Sequence, residues 1–119
     1  REPHATRRHG LALFMRGATW RDAGRLDLAR RDFEAAWRVL DDDTREFPDR
    51  DELRRRVGEK LLELALHARD AEAARRWLDV QRRDSKMPEI TLEIWRERPG
   101  LVELVGADAW AELAGQVDR

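Results

Sequence analysis

The stretch GATWRDAGRLDLARRDFEAAWRVL, residues 17–40, decides how this chain folds. It has the composition of a helix almost throughout, yet it contains glycines at positions 17 and 24. Glycine in a helix interior costs about 1 kcal/mol relative to alanine, so each of the two needs a structural reason. Gly24 suits the left-handed residue that ends a helix, which predicts two helices here rather than one.

Apolar residues lie at helical spacing on both sides of Gly24. Before it, Leu13, Gly17 and Trp20 share one face. After it, apolar residues recur at steps of three or four and predict a second helix: Leu26, Ala29, Phe33, Ala36 and Leu40. A connection this short forces the two helices to be antiparallel. Gly17 lies on the face toward the second helix, where a large residue would cost about 1–3 kcal/mol by overpacking.

The composition indicates an all-α domain of ordinary size. Apolar and charged residues each make up 41% of the 119 residues. Ala, Leu, Arg, Glu and Asp, which dominate the chain, favour helix over strand. The absence of cysteine excludes disulfides and thiolate metal sites. The net charge of −1 gives no basic excess of the kind that nucleic-acid-binding domains usually carry.

The longest apolar run is too short to span a membrane, and no secretory leader is visible. We therefore expect no membrane partner and take the cytoplasm as the default location. The chain opens on Arg1 rather than Met, which is compatible with an upstream segment.

The pattern along the chain predicts a flexible arm followed by one helical domain. Residues 1–9 are polar and aperiodic, so they are expected to form the arm. The domain, residues 10–119, divides into a helix pair at 10–43, a second pair at 50–84 and closing helices at 88–117. The acidic segment 41–52 predicts a loop between the pairs, and a break is expected near Arg69 and Asp70 in the second pair.

Segment 88–98 is ambiguous between helix and strand. Ile90, Leu92 and Ile94 alternate as in a strand, whereas Ile90, Ile94 and Trp95 suit a helix that begins at Pro88. No other segment offers a strand for it to pair with. Helix is therefore favoured.

The two predicted pairs align with an offset of 45 residues. Ala29 then corresponds to Ala74, Phe33 to Leu78, and Gly24 to Arg69. This offset is about 11 residues longer than the usual 34-residue two-helix unit, and the acidic loop absorbs the difference.

The segment from Leu13 to Ala36 resembles a tetratricopeptide repeat. The family places a large residue, a small residue and an aromatic on the first helix, a glycine at the turn, and Ala, an aromatic and Ala on the second helix. The chain provides these as Leu13, Gly17, Trp20, Gly24, Ala29, Phe33 and Ala36. The second unit matches weakly, with Arg69 at the turn and Gln81 where the last Ala is expected.

The tail RERPGLVELVGADAWAELAGQV is similar to the closing segment of many bacterial tetratricopeptide proteins. Its matching residues are Pro99, Leu101, Leu104, Trp110 and Leu113. The resemblance implies a right-handed stack of antiparallel helix pairs with capping helices, and an interaction scaffold without catalysis.

No chemistry-bearing constellation emerges from the residues. His4, His9 and His67 lack the spacing of helix-borne metal ligands, and no nucleophile set or phosphate-binding loop is present. No cofactor, metal or catalytic residue is therefore expected. The arginine clusters alternate with acids at helical spacing, which is typical of solvated faces. The tryptophans are expected in the core, although Trp37 and Trp77 lie beside their stripes and suit a seam with the next helix or a second subunit.

By resemblance, a partner would bind the concave face formed by the first helix of each pair. Its residues would be Leu11, Phe14, Ala18, Arg21 and Asp22 in the first unit and Arg56, Glu59, Glu63, Leu66 and His67 in the second. Some family members clamp a chaperone's terminal carboxylate with Lys and Asn. Phe14 and Ala18 stand at those places here, so such binding is not expected.

The function expected from the sequence is to bind a protein or peptide partner on this face. Two alternatives stay open. The first is a homodimeric structural domain, because two repeats and a cap fall short of the roughly three that stability usually needs. The second is a regulatory helical domain of a larger protein, which would bind nucleic acid or a small ligand, although nucleic acid is not expected from the charge balance.

Overall fold

The structure, a computed structural model, describes residues 3–42 and 49–117. All regular secondary structure in these residues is α-helical, which confirms the predicted all-α class. The helices are α1 (Pro3–Asp22), α2 (Leu26–Asp42), α3 (Arg50–His67), α4 (Ala71–Asp84), α5 (Pro88–Arg96), α6 (Leu101–Val105) and α7 (Ala107–Val117). None of these helices combines the length and the apolarity needed to cross a membrane. The centre of the predicted acidic loop, residues 43–48, lies outside the described residues.

The chain divides into two compact units, Arg1–Leu61 and Leu62–Arg119. The boundary falls inside α3, whereas the sequence predicts the two helix pairs to divide in the acidic loop. The reason is that the beginning of α3 bonds to α2. Arg50 donates a 2.6 Å hydrogen bond from Nη2 to the carbonyl of Leu40, and the Arg54 guanidinium lies 4.6 Å from the centre of the Trp37 ring.

In the first unit, α1 and α2 form an antiparallel pair. Gly17 lies against Phe33 and Gly10 lies against Leu40, so positions earlier on α1 meet positions later on α2. Leu26, at the start of the predicted α2 stripe, is half-buried, and the other four residues of the stripe are fully buried: Ala29, Phe33, Ala36 and Leu40. Their shared face is turned toward α1. Gly10 and Gly17 have no side chains, which leaves room on α1 for Leu40 and Phe33.

An ion pair with a buried carboxylate joins the same two helices. Arg16 of α1 donates two hydrogen bonds to Asp32 of α2, from Nε to Oδ2 at 2.7 Å and from Nη2 to Oδ1 at 2.8 Å. The Asp32 side chain is only 2% exposed, while the Arg16 side chain is 59% exposed. The hydrogen bonds and charge of Arg16 lower the pKa of Asp32, although burial opposes them. The two-point contact fixes the register of α1 on α2.

The prediction of a flexible arm at residues 1–9 is wrong for residues 3–9. Helix α1 begins at Pro3, so residues 3–9 are helical, and only residues 1 and 2 of that segment lie outside the description. Proline is favoured in the first turn of a helix, where its missing N–H has no helical partner to lose. Contacts to distant parts of the chain hold the turns that follow: Arg7 binds Asp49, and Gly10 packs on Leu40.

The connection at Gly24 has the geometry that the sequence predicts. Gly24 has a φ of +79°, in the left-handed region. Its N–H donates to the carbonyl of Arg21, and the N–H of Arg25 donates to the carbonyl of Trp20. These bonds use carbonyls in the last turn of α1 that would otherwise lack partners.

The turn between α3 and α4, in the second unit, repeats this pattern 45 residues later. The N–H of Arg69 donates to the carbonyl of Leu66, and the N–H of Asp70 donates to the carbonyl of Ala65. Arg69 has a φ of +58° and is the only described non-glycine residue with a positive φ. The side chain of Asp70 then accepts from the N–H of Ala73 and caps α4. The predicted break at residues 69 and 70 is confirmed.

The remaining helices of the second unit pack around α4, and their buried residues lie where the sequence places the apolar stripes. Ala74 and Leu78 of α4, and Leu101 of α6, are fully buried. Trp110 and Leu113 of α7 are each 9% exposed.

Segment 88–98 is helical from Pro88 to Arg96, as favoured, but its inward face differs from the predicted one. Leu92 and Trp95 are buried, whereas Ile90 and Ile94 are 49% and 60% exposed. Helix α5 therefore has apolar residues on two sides. Those two apolar sides explain why its sequence also alternates like a strand.

Candidate partner-binding site

A cleft in the first unit lies between α1 and the beginning of α3. It has a volume of about 230 Å³ and is lined by Arg7, Leu11, Asp49, Glu52, Leu53 and Arg56. Two of these residues, Leu11 and Arg56, belong to the predicted partner-binding face. The cleft combines an apolar floor with charged groups of both signs.

An ion pair forms one end of the cleft. Arg7 Nε and Nη2 donate to the carboxylate of Asp49, with Nη2 to Oδ2 at 2.8 Å and Nε to Oδ1 at 2.9 Å. These bonds lower the pKa of Asp49 and raise the pKa of Arg7. Both side chains stay about two-fifths exposed. The pair orders the entrance of the cleft and still presents its charges to solvent.

The floor and the opposite rim of the cleft come from Leu11 and the first turns of α3. Leu53 is 7% exposed and Leu11 is half-buried, so an apolar surface remains accessible between the charged groups. Arg56 donates to Glu52 at 3.0 Å across one turn, with both side chains more than half exposed. An exposed pair of this kind contributes little to stability, so both groups are available to an external ligand.

The other predicted residues of α1 are placed less favourably for a partner. Phe14 packs on Phe33, with ring centroids 5.7 Å apart, so part of its ring supports the core. Ala18 is half-buried on the same helix. Arg21 and Asp22, in the last turn of α1, form an exposed pair at 3.5 Å.

The predicted residues of α3 other than Arg56 do not line the cleft. In the first unit, Glu59 pairs with Arg55 at 3.6 Å. In the second unit, Glu63 accepts a 3.3 Å hydrogen bond from Arg98. Leu66 is half-buried, and His67 is exposed as the last residue of α3.

The two tryptophans proposed as an oligomer seam are buried within the chain. Trp37 is 8% exposed and lies under the Arg54 guanidinium. Trp77 is 5% exposed, with the Arg76 guanidinium 4.8 Å from its ring centre. Little of the surface of either ring is therefore left for a second subunit.

Sequence reasoning missed four residues of the cleft: Arg7, Asp49, Glu52 and Leu53. It assigned Arg7 to a flexible arm and Asp49 and Glu52 to the acidic loop. One signal was available, because Arg7 precedes Leu11 by one helical turn and no proline stands between them. Its partner Asp49, 42 residues away, could not be identified from local pattern.

Comparison of the chain with protein families, with curated proteins and with solved structures gave no match. The tetratricopeptide resemblance therefore rests on the residues quoted above. Within residues 3–42 and 49–117, no group of three His, Asp or Glu side chains has the arrangement needed to hold a metal ion.

Proposed function

We propose that the chain is a protein-interaction module of tetratricopeptide-like type, which binds a protein or peptide partner across the face shared by α1 and the beginning of α3. The observation that carries the proposal is the cleft between these helices. It combines an accessible leucine floor with a charged rim, as is typical of sites that recognise peptide side chains.

The repeated turn supports the tetratricopeptide-like part of the proposal. Four backbone hydrogen bonds around Gly24 recur around Arg69, and each donor and acceptor is shifted by the same 45 residues. The donors are Ala23, Gly24, Arg25 and Ala29 in the first turn, and Ala68, Arg69, Asp70 and Ala74 in the second. Arg69 takes the left-handed conformation at the second turn, so the turn geometry recurs there without a glycine.

The chemistry of the cleft favours an extended segment with one apolar anchor and charged neighbours. The apolar anchor would contact Leu11 and Leu53. A basic side chain of the partner would meet Glu52, and an acidic one would meet Arg56, because these two charges point outward from the same helix. Binding of this kind positions a partner and requires no bond-making chemistry.

Site-specific photocrosslinking tests this proposal. A photoreactive phenylalanine analogue at position 11 is expected to crosslink a partner in cells that express the chain naturally. The same analogue at position 30 is the matched control, because Arg30 is exposed on α2 and does not line the cleft. Crosslinking at position 11 alone supports the proposal, and equal or absent crosslinking at the two positions contradicts it.

A second variant separates loss of the partner from loss of the fold. Arg56→Glu reverses a charge at the rim, while Arg30→Glu makes the same change on α2. Because both side chains are exposed, each variant should keep the helical content of the parent chain. Only Arg56→Glu is expected to weaken the crosslink at position 11.

A further inference from the structure

The outward face of α5, in the second unit, presents an apolar stripe to solvent. Ile90 and Ile94 are 49% and 60% exposed and lie one helical turn apart. Met87, immediately before the helix, is 60% exposed as well. Large aliphatic side chains grouped in this way often mark an interaction site.

Three carboxylates line one edge of this stripe. Glu89, Glu93 and Glu97 follow one another at intervals of one turn, and with the two isoleucines they enclose a shallow depression of about 500 Å³. At 100° per residue, all three lie on the same side of the line through Ile90 and Ile94. The stripe therefore has one acidic edge.

The negative charge of this edge is compensated only in part. Arg96 pairs with Glu93 at 3.6 Å, and both side chains are more than half exposed. In the described part of the chain, no basic side chain lies within ion-pair distance of Glu89 or Glu97. A ligand that brings positive charge to this edge would meet two carboxylates, those of Glu89 and Glu97, that have no competing basic partner in the described residues.

We propose that the outward face of α5 docks a basic amphipathic helix of another protein. The partner helix would place aliphatic residues on Ile90 and Ile94, and Lys or Arg residues along the edge formed by the three glutamates. Contact between the two apolar stripes would provide affinity. Contact between the basic residues of the partner and the three glutamates would set the orientation of the partner helix on α5.

Charge also argues against a second, antiparallel copy of the chain as the occupant. In an antiparallel pair of α5 helices the same edges meet, so Glu89 and Glu93 of one copy would face carboxylates of the other. Juxtaposed like charges disfavour association. This surface is distinct from the α1–α3 cleft, and its inference does not depend on the proposed function.

Selection from a displayed library of helical peptides tests the inference. Each peptide in the library has apolar residues fixed at steps of three and four and random residues along both edges of that apolar stripe. The whole protein chain is the target of the selection. Enriched peptides are expected to carry Lys or Arg along one edge. A library that yields no enriched peptide, or peptides without basic residues, would overturn the inference.

Variants of the chain locate the binding surface. Ile94→Asp and the triple change Glu89→Lys, Glu93→Lys, Glu97→Lys are each expected to weaken an enriched peptide at least about tenfold. The matched control reverses three exposed carboxylates elsewhere in the second unit, with Glu72→Lys, Glu103→Lys and Glu112→Lys, and should change the affinity less than about twofold. Equal weakening by both triple variants would mean that net charge, not α5, governs binding, and would overturn the inference.

The oligomeric state provides an independent test. Sedimentation of the parent chain across a dilution series should show either no dimer or a dimer that Ile94→Asp leaves intact. Such a dimer would make a second copy the occupant of this face and would overturn the proposal. Circular dichroism of each variant establishes that its helices are intact before binding is measured.

Discussion

The ring of Phe33 fills the space that a Cβ on Gly17 would need: such a carbon would lie 2.7 Å from Cε1 of Phe33. Phe33 is fully buried and also packs against Phe14, so a shift of its ring would disturb packed neighbours. Position 17 therefore requires glycine because the ring of Phe33 occupies the space that a side chain at this position would need.

Gly17→Ala is expected to lower the free energy of unfolding by about 1 kcal/mol. Overpacking costs about 1–3 kcal/mol, and the higher helix propensity of alanine offsets about 1 kcal/mol of it. Urea unfolding followed by circular dichroism measures the change. In a Phe33→Leu background the same substitution should cost less, because the smaller side chain leaves room for the methyl group.

Gly115→Ala is the matched control, because a Cβ at position 115 in α7 would meet nothing within 4 Å. It should raise the free energy of unfolding by about 0.5–1 kcal/mol through helix propensity alone. If Gly17→Ala stabilised the chain as well, the close contact with Phe33 would be disproved.

The two left-handed turn residues should respond in opposite directions to substitution. Gly24→Ala is expected to destabilise by about 1 kcal/mol, because a Cβ is strained at its φ of +79°. Arg69→Gly is expected to stabilise by about 0.5–1 kcal/mol, because it relieves the same strain at +58°. Thermal and urea unfolding of both variants check these signs, and Arg69→Ala, which keeps the strain, is the control.

Acid should weaken the contact between Arg16 and Asp32. The pKa of Asp32 is lowered in the folded chain, so this contribution to stability is complete above the unfolded value of about 3.9. The contribution is lost as the pH falls through the lower folded pKa. The difference in urea midpoint between the parent and Asp32→Asn should therefore shrink on acidification below about pH 4. Asp27→Asn, an exposed change on the same helix, controls for general charge effects, and a difference that stays constant would refute the assignment.

Removing the Arg50 side chain should destabilise the first unit. Arg50 is 9% exposed, and its guanidinium donates to the Leu40 carbonyl in the last turns of α2. Arg50→Met keeps most of the volume but loses a charged hydrogen bond, with an expected cost of about 2 kcal/mol. Arg56→Met removes an exposed arginine from the same helix and should cost less than about 0.5 kcal/mol. Equal costs in urea unfolding would show that the bond to Leu40 adds nothing.

Local rules were sufficient for most helix boundaries. The turn at Gly24, the limits of α3 and the break before α4 follow from periodicity, capping residues and the conformational freedom of glycine. These signals act over one or two helical turns, so the sequence contains them directly. The close approach at Gly17 was also predictable, because a glycine in the middle of an apolar stripe is typical of a helix that packs closely against a neighbour.

The sequence by itself determined that the chain is helical, where α2 and α3 lie, and which residues of α2 form its core. Only the tertiary structure decided that residues 3–9 belong to α1, because Arg7 binds Asp49, which is distant along the chain. It also decided that α5 buries Leu92 and leaves Ile94 exposed. Periodicity reveals that a helix has apolar faces, but the packing of neighbouring helices selects the face that is buried.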